Sequence, residues 1–278
     1  MIVMYGYLGK RVNVGYDSRL YQPTLYTLIA FLGLWQLLSL FFSPRDLPGL
    51  VHLAEITYSV VSGADQFSFV EHAWITTQRI LVSFVFIMVI GTVLGITMGV
   101  SKYKEFLTVP VMIFLTFPAV VWAFILVMWF GALTTYFVVV TVTVLAVTPY
   151  VAVNIWKGAE SIDDDLLEMA HSFDLSTTAI WRHIFVPALM PFLYSSGRLA
   201  FALAWKLSLV AEIFGSSVGI GFVVHYYFGA VRADMIIAWS IPMMLAMFGI
   251  ERALKIVEKR SFAWRPEVDD VHSEVKTA

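Results

Sequence analysis

The stretch KGAESIDDDLLEMAHSFDLSTTAIWRHIFVPALMPFL, residues Lys157 to Leu193, decides how the rest of the chain is read. It lies between long apolar runs, yet it carries two short amphipathic helical patterns. Three acids, Asp163 to Asp165, suit the positive end of a helix dipole and supply capping oxygens. Leu166, Leu167, Met169, Ala170 and Phe173 then follow as one helix stripe. Glu168 points off that stripe, where a partner's arginine or lysine could reach it. The residues DLST, 174–177, supply a turn and a fresh cap. Ile180, Trp181, Ile184 and Phe185 make a second stripe, which Pro187 is expected to close. Two such helices either lie flat on a bilayer or dock into a partner.

Outside this insert the chain reads as membrane. Of its 278 residues 59% are hydrophobic and 14% charged, with a mean hydropathy of +0.80. Soluble domains sit nearer 45–50% apolar and ~25% charged. Six apolar runs stand out, at about 24–42, 80–100, 107–130, 133–156, 188–210 and 235–257. Residues 52–60 form a half-apolar segment too short to span. The expected fold is an all-α integral membrane protein of six transmembrane helices with two short cytoplasmic helices. Residues 1–23 would be a cytoplasmic N-terminus, 24–257 the transmembrane domain including the loop 157–187, and 258–278 a cytoplasmic tail. The first apolar run reads as a retained signal anchor.

Basic residues set the orientation. With the N-terminus inside, the lysines and arginines outside the spans fall on the cytoplasmic side except Arg45, Arg79 and Arg232. The insert is then cytoplasmic. A net charge of −2 points to no nucleic acid, and no cysteines are present for disulfide or thiolate chemistry. The histidines show no metal-ligand spacing, so no metal site is expected, and no catalytic constellation marks an enzyme. No G-x-x-x-x-G-K-[ST] occurs, so ATP and magnesium would have to be bound by a separate subunit.

Inside the spans, Gly91, Gly95 and Gly99 recur four apart on one helix face, spacing that allows close helix approach in lipid. The partner is either another helix of the same chain or a second copy. Pro110 and Pro118 interrupt the third run, as a kink or as the lining of a pathway. Arg198, Lys206 and Glu212 lie in or at the end of the fifth run, with Trp205 beside the lysine. Charges at this depth line a path or pair with one another. On one helix Arg198 and Lys206 stand about 80° apart, and Lys206 and Glu212 do not face each other. Arg198 could instead snorkel to the interface, and Trp205 could simply pack.

The segment EMAHSFDLSTTAIWRHIFVPALMP, 168–191, resembles the EAA loop of ABC importer permeases, with Glu168, Ala170 and Pro187 in matching places. Met169 replaces the middle alanine. Asp174 stands where the family has glycine, a position that suits a left-handed turn. GRLAFALAWKLSLVAE, 197–212, and GSSVGIGFVV, 215–224, resemble the stretches that follow the loop in the branch moving nitrate, sulfonates, taurine, bicarbonate and pyrimidine precursors. The resemblance implies a type I importer permease of the bacterial cytoplasmic membrane, with both termini cytoplasmic. Its partners would be a second permease copy, two cytoplasmic ABC ATPase subunits and an extracytoplasmic solute-binding protein. Asp165, Leu167, Glu168, Ala170, Phe173, Asp174, Trp181 and Pro187 would form the ATPase-coupling segment. Arg198, Trp205, Lys206 and Glu212 would belong to the translocation path of a small anionic solute. An ion-coupled secondary transporter or a membrane scaffold are the rival readings.

Overall fold

The computed structural model describes residues 21–131 and 135–261, and every regular element among them is helical. In chain order these are α1 (Tyr21–Ser39), α2 (Leu50–Ser62), α3 (Phe69–Val100), α4 (Lys104–Thr116), α5 (Ala119–Phe130), α6 (Thr135–Glu160), α7 (Asp164–Ser172), α8 (Thr177–Ile180), α9 (Val186–Gly215), α10 (Ile220–Gly229) and α11 (Ala233–Ser261). A π-helical turn, Trp181–Phe185, joins α8 to α9 without a break. Most of the N-terminal and C-terminal segments expected to be cytoplasmic lie outside the described residues. The parts that are described, 21–23 and 258–261, are helical.

Among the described residues, four helices are long and apolar enough to cross a membrane: α3, α6, the continuous helix Thr177–Gly215 and α11. The pair α4–α5 makes a fifth only if its two bent halves count together. The first expected run is α1, whose described side chains from Leu25 to Ser39 form a shorter apolar helix. The third run, expected as one span over 107–130, is instead two helices meeting at 93°. Phe117 and Pro118 are extended at the break. A residue before proline is pushed out of the helical region, and proline has no N–H to continue the ladder.

The second span starts eleven residues earlier than hydropathy suggests, at Phe69 rather than Ile80. Ser68 caps it, its hydroxyl accepting from the Glu71 N–H at 3.5 Å. At 32 residues α3 is about 48 Å long, more than the ~30 Å of a bilayer's hydrocarbon core. The polar residues that hid its first turns, His72, Thr76 and Arg79, are buried and partnered within the protein.

The bundle is built on α3, α6 and α9, with α6 the most enclosed: 56% of its apolar window is buried. Gly91, Gly95 and Gly99 lie against α6. A Cβ on Gly91 would sit 2.7 Å from the Val151 Cβ, and one on Gly95 2.5 Å from the Ala152 carbonyl oxygen; Gly99 abuts Ala159. On the other side of α6, Gly158 admits the ring of Phe192 from α9. In lipid, dispersion at such close approach holds helices together where no hydrophobic gradient separates them.

Candidate functional site: the insert and the charged helix faces

Helix α7 begins as its acids dictate. The Asp163 carboxylate accepts from the Asp165 N–H at 3.0 Å, and Asp164 and Asp165 occupy the first turn. It ends in a two-bond turn: the Asp174 N–H donates to the His171 carbonyl at 3.0 Å, and the Leu175 N–H to that of Ala170 at 3.1 Å. Asp174 adopts φ 51°, the left-handed conformation usually given to glycine. Aspartate therefore makes the same turn, at the cost of a Cβ in that region. Ser176 then caps α8 by accepting from the Ala179 N–H at 3.3 Å.

The two stripes fold against each other. Ala170, Ile180 and Phe185 are buried together, with Ile162, Leu167, Trp181 and Ile184 packed around them. The Trp181 and Phe185 rings stack at 4.5 Å between centroids. Leu167, Ala170 and Trp181, expected to meet a partner, thus hold the insert together. The face left open carries Leu166, Met169, Phe173 and Leu175, with Phe173 73% exposed, and Glu168 and Asp165 are exposed beside it.

Pro187 does not close the second helix. The chain stays helical through it into α9, and the Val186 N–H donates to the Trp181 carbonyl, one residue further back than in an α-helix. The widened turn accommodates a ring that would otherwise press on the carbonyl of residue 183. The backbone is therefore helical without a break from Thr177 to Gly215.

Glu212, expected along a translocation path, is enclosed: it is 0% exposed and its ion-pair partner Arg79 1%. The Arg79 Nη1 donates to Glu212 Oε1 at 2.8 Å and also reaches Ser216 Oγ and the Val218 carbonyl. Thr76 Oγ1 donates to the same carboxylate, and the Gly221 N–H donates to its Oε2 at 2.9 Å. The Gly219 N–H donates to His72 Nδ1 at 3.0 Å. This network ties α3, α9 and the loop before α10 together at the end of the bundle opposite the insert. His72, Thr76 and Arg79 were missed as a group, although their spacing of four and three places them on one helix face.

The other charges of α9 lie elsewhere. Trp205 is buried in the main core against Phe201. Lys206 is exposed, on the same face as Ser195, Leu199 and Ala202, at helical spacings of four, three and four. Arg198 lines a cleft with Lys157, Tyr150 and Asn154 of α6. Those three α6 residues again follow the four-and-three spacing, a signal present in the sequence but unread there.

Residues 81–262 match the family model of the binding-protein-dependent transport system inner membrane component. The taurine transport system permease protein of Escherichia coli (strain K12) is 23% identical over 258 residues, 90% of this chain and 92% of its own. The nitrate import permease protein of Synechococcus elongatus is 25% identical over 210 residues, 73% and 75% of the two chains. In fold, the chain resembles a solved amino acid ABC transporter chain with a TM-score of 0.61 at 15% identity, over 75% of this chain and 97% of that one. The MetNI methionine ABC transporter, solved in inward-facing conformations, gives 0.59 at 16% identity over 74% and 97%.

Proposed function

The chain belongs to the family of binding-protein-dependent transport system inner membrane components, the permeases of ABC importers, and from that premise we propose that it conducts a small anionic solute in an ATP-driven importer. The solute is a sulfonate, taurine, nitrate, bicarbonate or a related anion, handed over by an extracytoplasmic binding protein. A separate ATPase subunit binds ATP and magnesium and docks on the insert, and two permease copies form the path. Both termini and the insert lie in the cytoplasm, a reading supported by the bias of lysine and arginine toward that side.

The observation that carries this reading is the open face of α7. Leu166, Met169 and Phe173 project from a helix whose other side is already packed, and a tight turn joins that helix to α8 and so to α9. An apolar face presented beside exposed Asp165 and Glu168 suits a protein groove with basic residues at its rim. Rigid-body motion of a docked ATPase would then reach the spans through the unbroken helix Thr177–Gly215. The anionic substrate class is supported by the names of the relatives and by Lys206. A cation exposed in the middle of an apolar span does not face hydrocarbon, so this face of α9 turns to the second copy and a hydrated path.

The test is purification of the tagged permease in nanodiscs, with ATPase activity and vesicle uptake of taurine and nitrate measured on whatever accompanies it. Phe173→Asp and Glu168→Ala are expected to release the ATPase or uncouple its turnover from uptake. If no hydrolytic partner accompanies the protein, or if uptake follows an ion gradient without ATP, the reading fails.

A further inference from the structure

Lys206 is exposed within a span, and among the described residues it has no hydrogen-bond or ion-pair partner. Contacts across the bundle fix its depth. On α9 it lies between Phe201, whose ring meets that of Phe84 at 5.8 Å between centroids, and Glu212, which meets Arg79 at 2.8 Å. It is therefore level with the part of α3 between Arg79 and Phe84. At 1.5 Å per residue that part is at least about 15 Å from either end of α3, further than a lysine stem reaches. A cation at this depth lines a hydrated space or meets another protein surface.

Among the described residues no counter-charge stands at that level. Glu212 is six residues along, about 240° round the helix, and is itself enclosed and paired with Arg79. The other acids of the described spans lie toward the ends: Glu71 and Asp234 away from the insert, Glu105, Glu160 and Glu251 toward it. Two copies inserted the same way are related by an axis along the membrane normal, and such an axis preserves depth. A second copy therefore brings no carboxylate to this level, only its own Lys206. Toward the insert the same face continues as Ala202 and Leu199, which line a cleft of about 510 Å³ bordered by α4, α6 and α11. Lys206 stands one turn beyond that cleft.

We propose that Lys206 of the two copies together form one station for a small monovalent oxyanion near the middle of the membrane, and that neither copy holds the anion alone. The inference rests on the reading of the chain as an anion permease. Two ammonium groups that share no carboxylate repel each other strongly between low-dielectric walls, and an anion between them relieves that repulsion. An ammonium is a compact point charge without the planar fork of a guanidinium, so it selects by sign more than by shape. Sulfonate, nitrate and bicarbonate groups are then all accepted. The neighbours on the same face, Leu199, Ala202 and Val210, have no polar side-chain atoms. The anion gains few further bonds there and can leave again, as conduction requires. A phospholipid phosphate carries the same oxyanion chemistry at the membrane surface, so the experiment separates the two sources.

The experiment is a fluorine NMR titration of trifluoromethanesulfonate into the full-length permease, in phosphatidylcholine nanodiscs at low chloride. Saturable binding of one anion per two chains is expected. Lys206→Gln should weaken it about a hundredfold, roughly tenfold for each cation withdrawn, and Lys206→Arg should retain it. Lys102→Gln, at an exposed lysine of the turn between α3 and α4, should leave it unchanged. The chain has no cysteine, so Lys206→Cys introduces a single thiol. That variant should lose the binding and regain it when water-borne 2-aminoethyl methanethiosulfonate restores an ammonium at the position. The uncharged methyl reagent should restore nothing, and a misfolded protein would show no such rescue. Absence of saturable binding, binding unchanged by Lys206→Gln, one anion per chain, or a thiol that the reagent does not reach each overturns the proposal. Loss of the binding in phosphatidylglycerol nanodiscs assigns the lysine to a lipid head group and overturns it too. Taurine and nitrate uptake by the assembled importer that survives Lys206→Gln removes the station and leaves the function standing. A station that passes these tests in an importer that takes up neither anion removes the function and leaves the site.

Discussion

The Arg79–Glu212 pair gives the sharpest test of how this bundle is held together. Glu212→Gln keeps the shape of the side chain but leaves the Arg79 cation, 1% exposed, without its counter-charge. It also turns an acceptor into a donor opposite either Arg79 Nη1 at 2.8 Å or the Gly221 N–H at 2.9 Å. Removing one partner of a buried pair costs about 3–5 kcal/mol, because the survivor stays desolvated and uncompensated. Arg79→Met should cost a similar amount, although Thr76 and Gly221 still donate to the stranded carboxylate. The double variant removes both charges and should recover much of the loss, giving a coupling energy of about 2 kcal/mol or more. The assay is reversible unfolding in mixed micelles of phospholipid and dodecyl sulfate, run as a double-mutant cycle. Single variants within about 0.5 kcal/mol of wild type, or a strictly additive double variant, would refute the reasoning.

Gly95→Ala places a Cβ 2.5 Å from the Ala152 carbonyl oxygen, so α3 and α6 must part. A loss of about 1–3 kcal/mol is expected in the same unfolding assay, against no loss for Gly33→Ala, which meets nothing within 4 Å and gains helix propensity. Asp174→Gly should stabilise the turn after α7 by about 1 kcal/mol by removing a Cβ from the left-handed region, and Asp174→Val should weaken it. Amide exchange at Leu175, whose N–H closes that turn, reports both. Met169→Asp should release the ATPase without lowering thermal stability, since Met169 is exposed. Leu167→Asp should lower stability as well, because Leu167 packs into the insert's own cluster. Equal thermal losses in the two would show that the faces have been misassigned.

Much of this was legible from residues whose effect is local. The acids at 163–165 and Ser176 announce helix starts, because a capping oxygen needs only the N–H groups two or three residues on. The turn at Asp174 follows from backbone preference at one position. The glycines at 91, 95 and 99 announce a close helix contact, though their spacing is silent on which helix supplies it. Hydropathy misplaced the start of α3 for a definite reason. It charges His72, Thr76 and Arg79 the full cost of entering lipid, whereas Arg79 meets a carboxylate 133 residues later in the chain.

What the sequence by itself determined is the class of molecule: a polytopic membrane protein with one amphipathic insert, capped and turned where its short-range chemistry demands. Only the tertiary structure decided that the helix continues through Pro187, where a π turn widens the backbone ahead of the ring. It alone decided that the third run bends by 93°, that Leu167 turns inward while Phe173 turns out, and that Glu212 is enclosed while Lys206 is open. Each of these depends on which surface a residue meets after the helices assemble. Periodicity along one helix says which side chains share a face, and packing against distant segments says what that face sees.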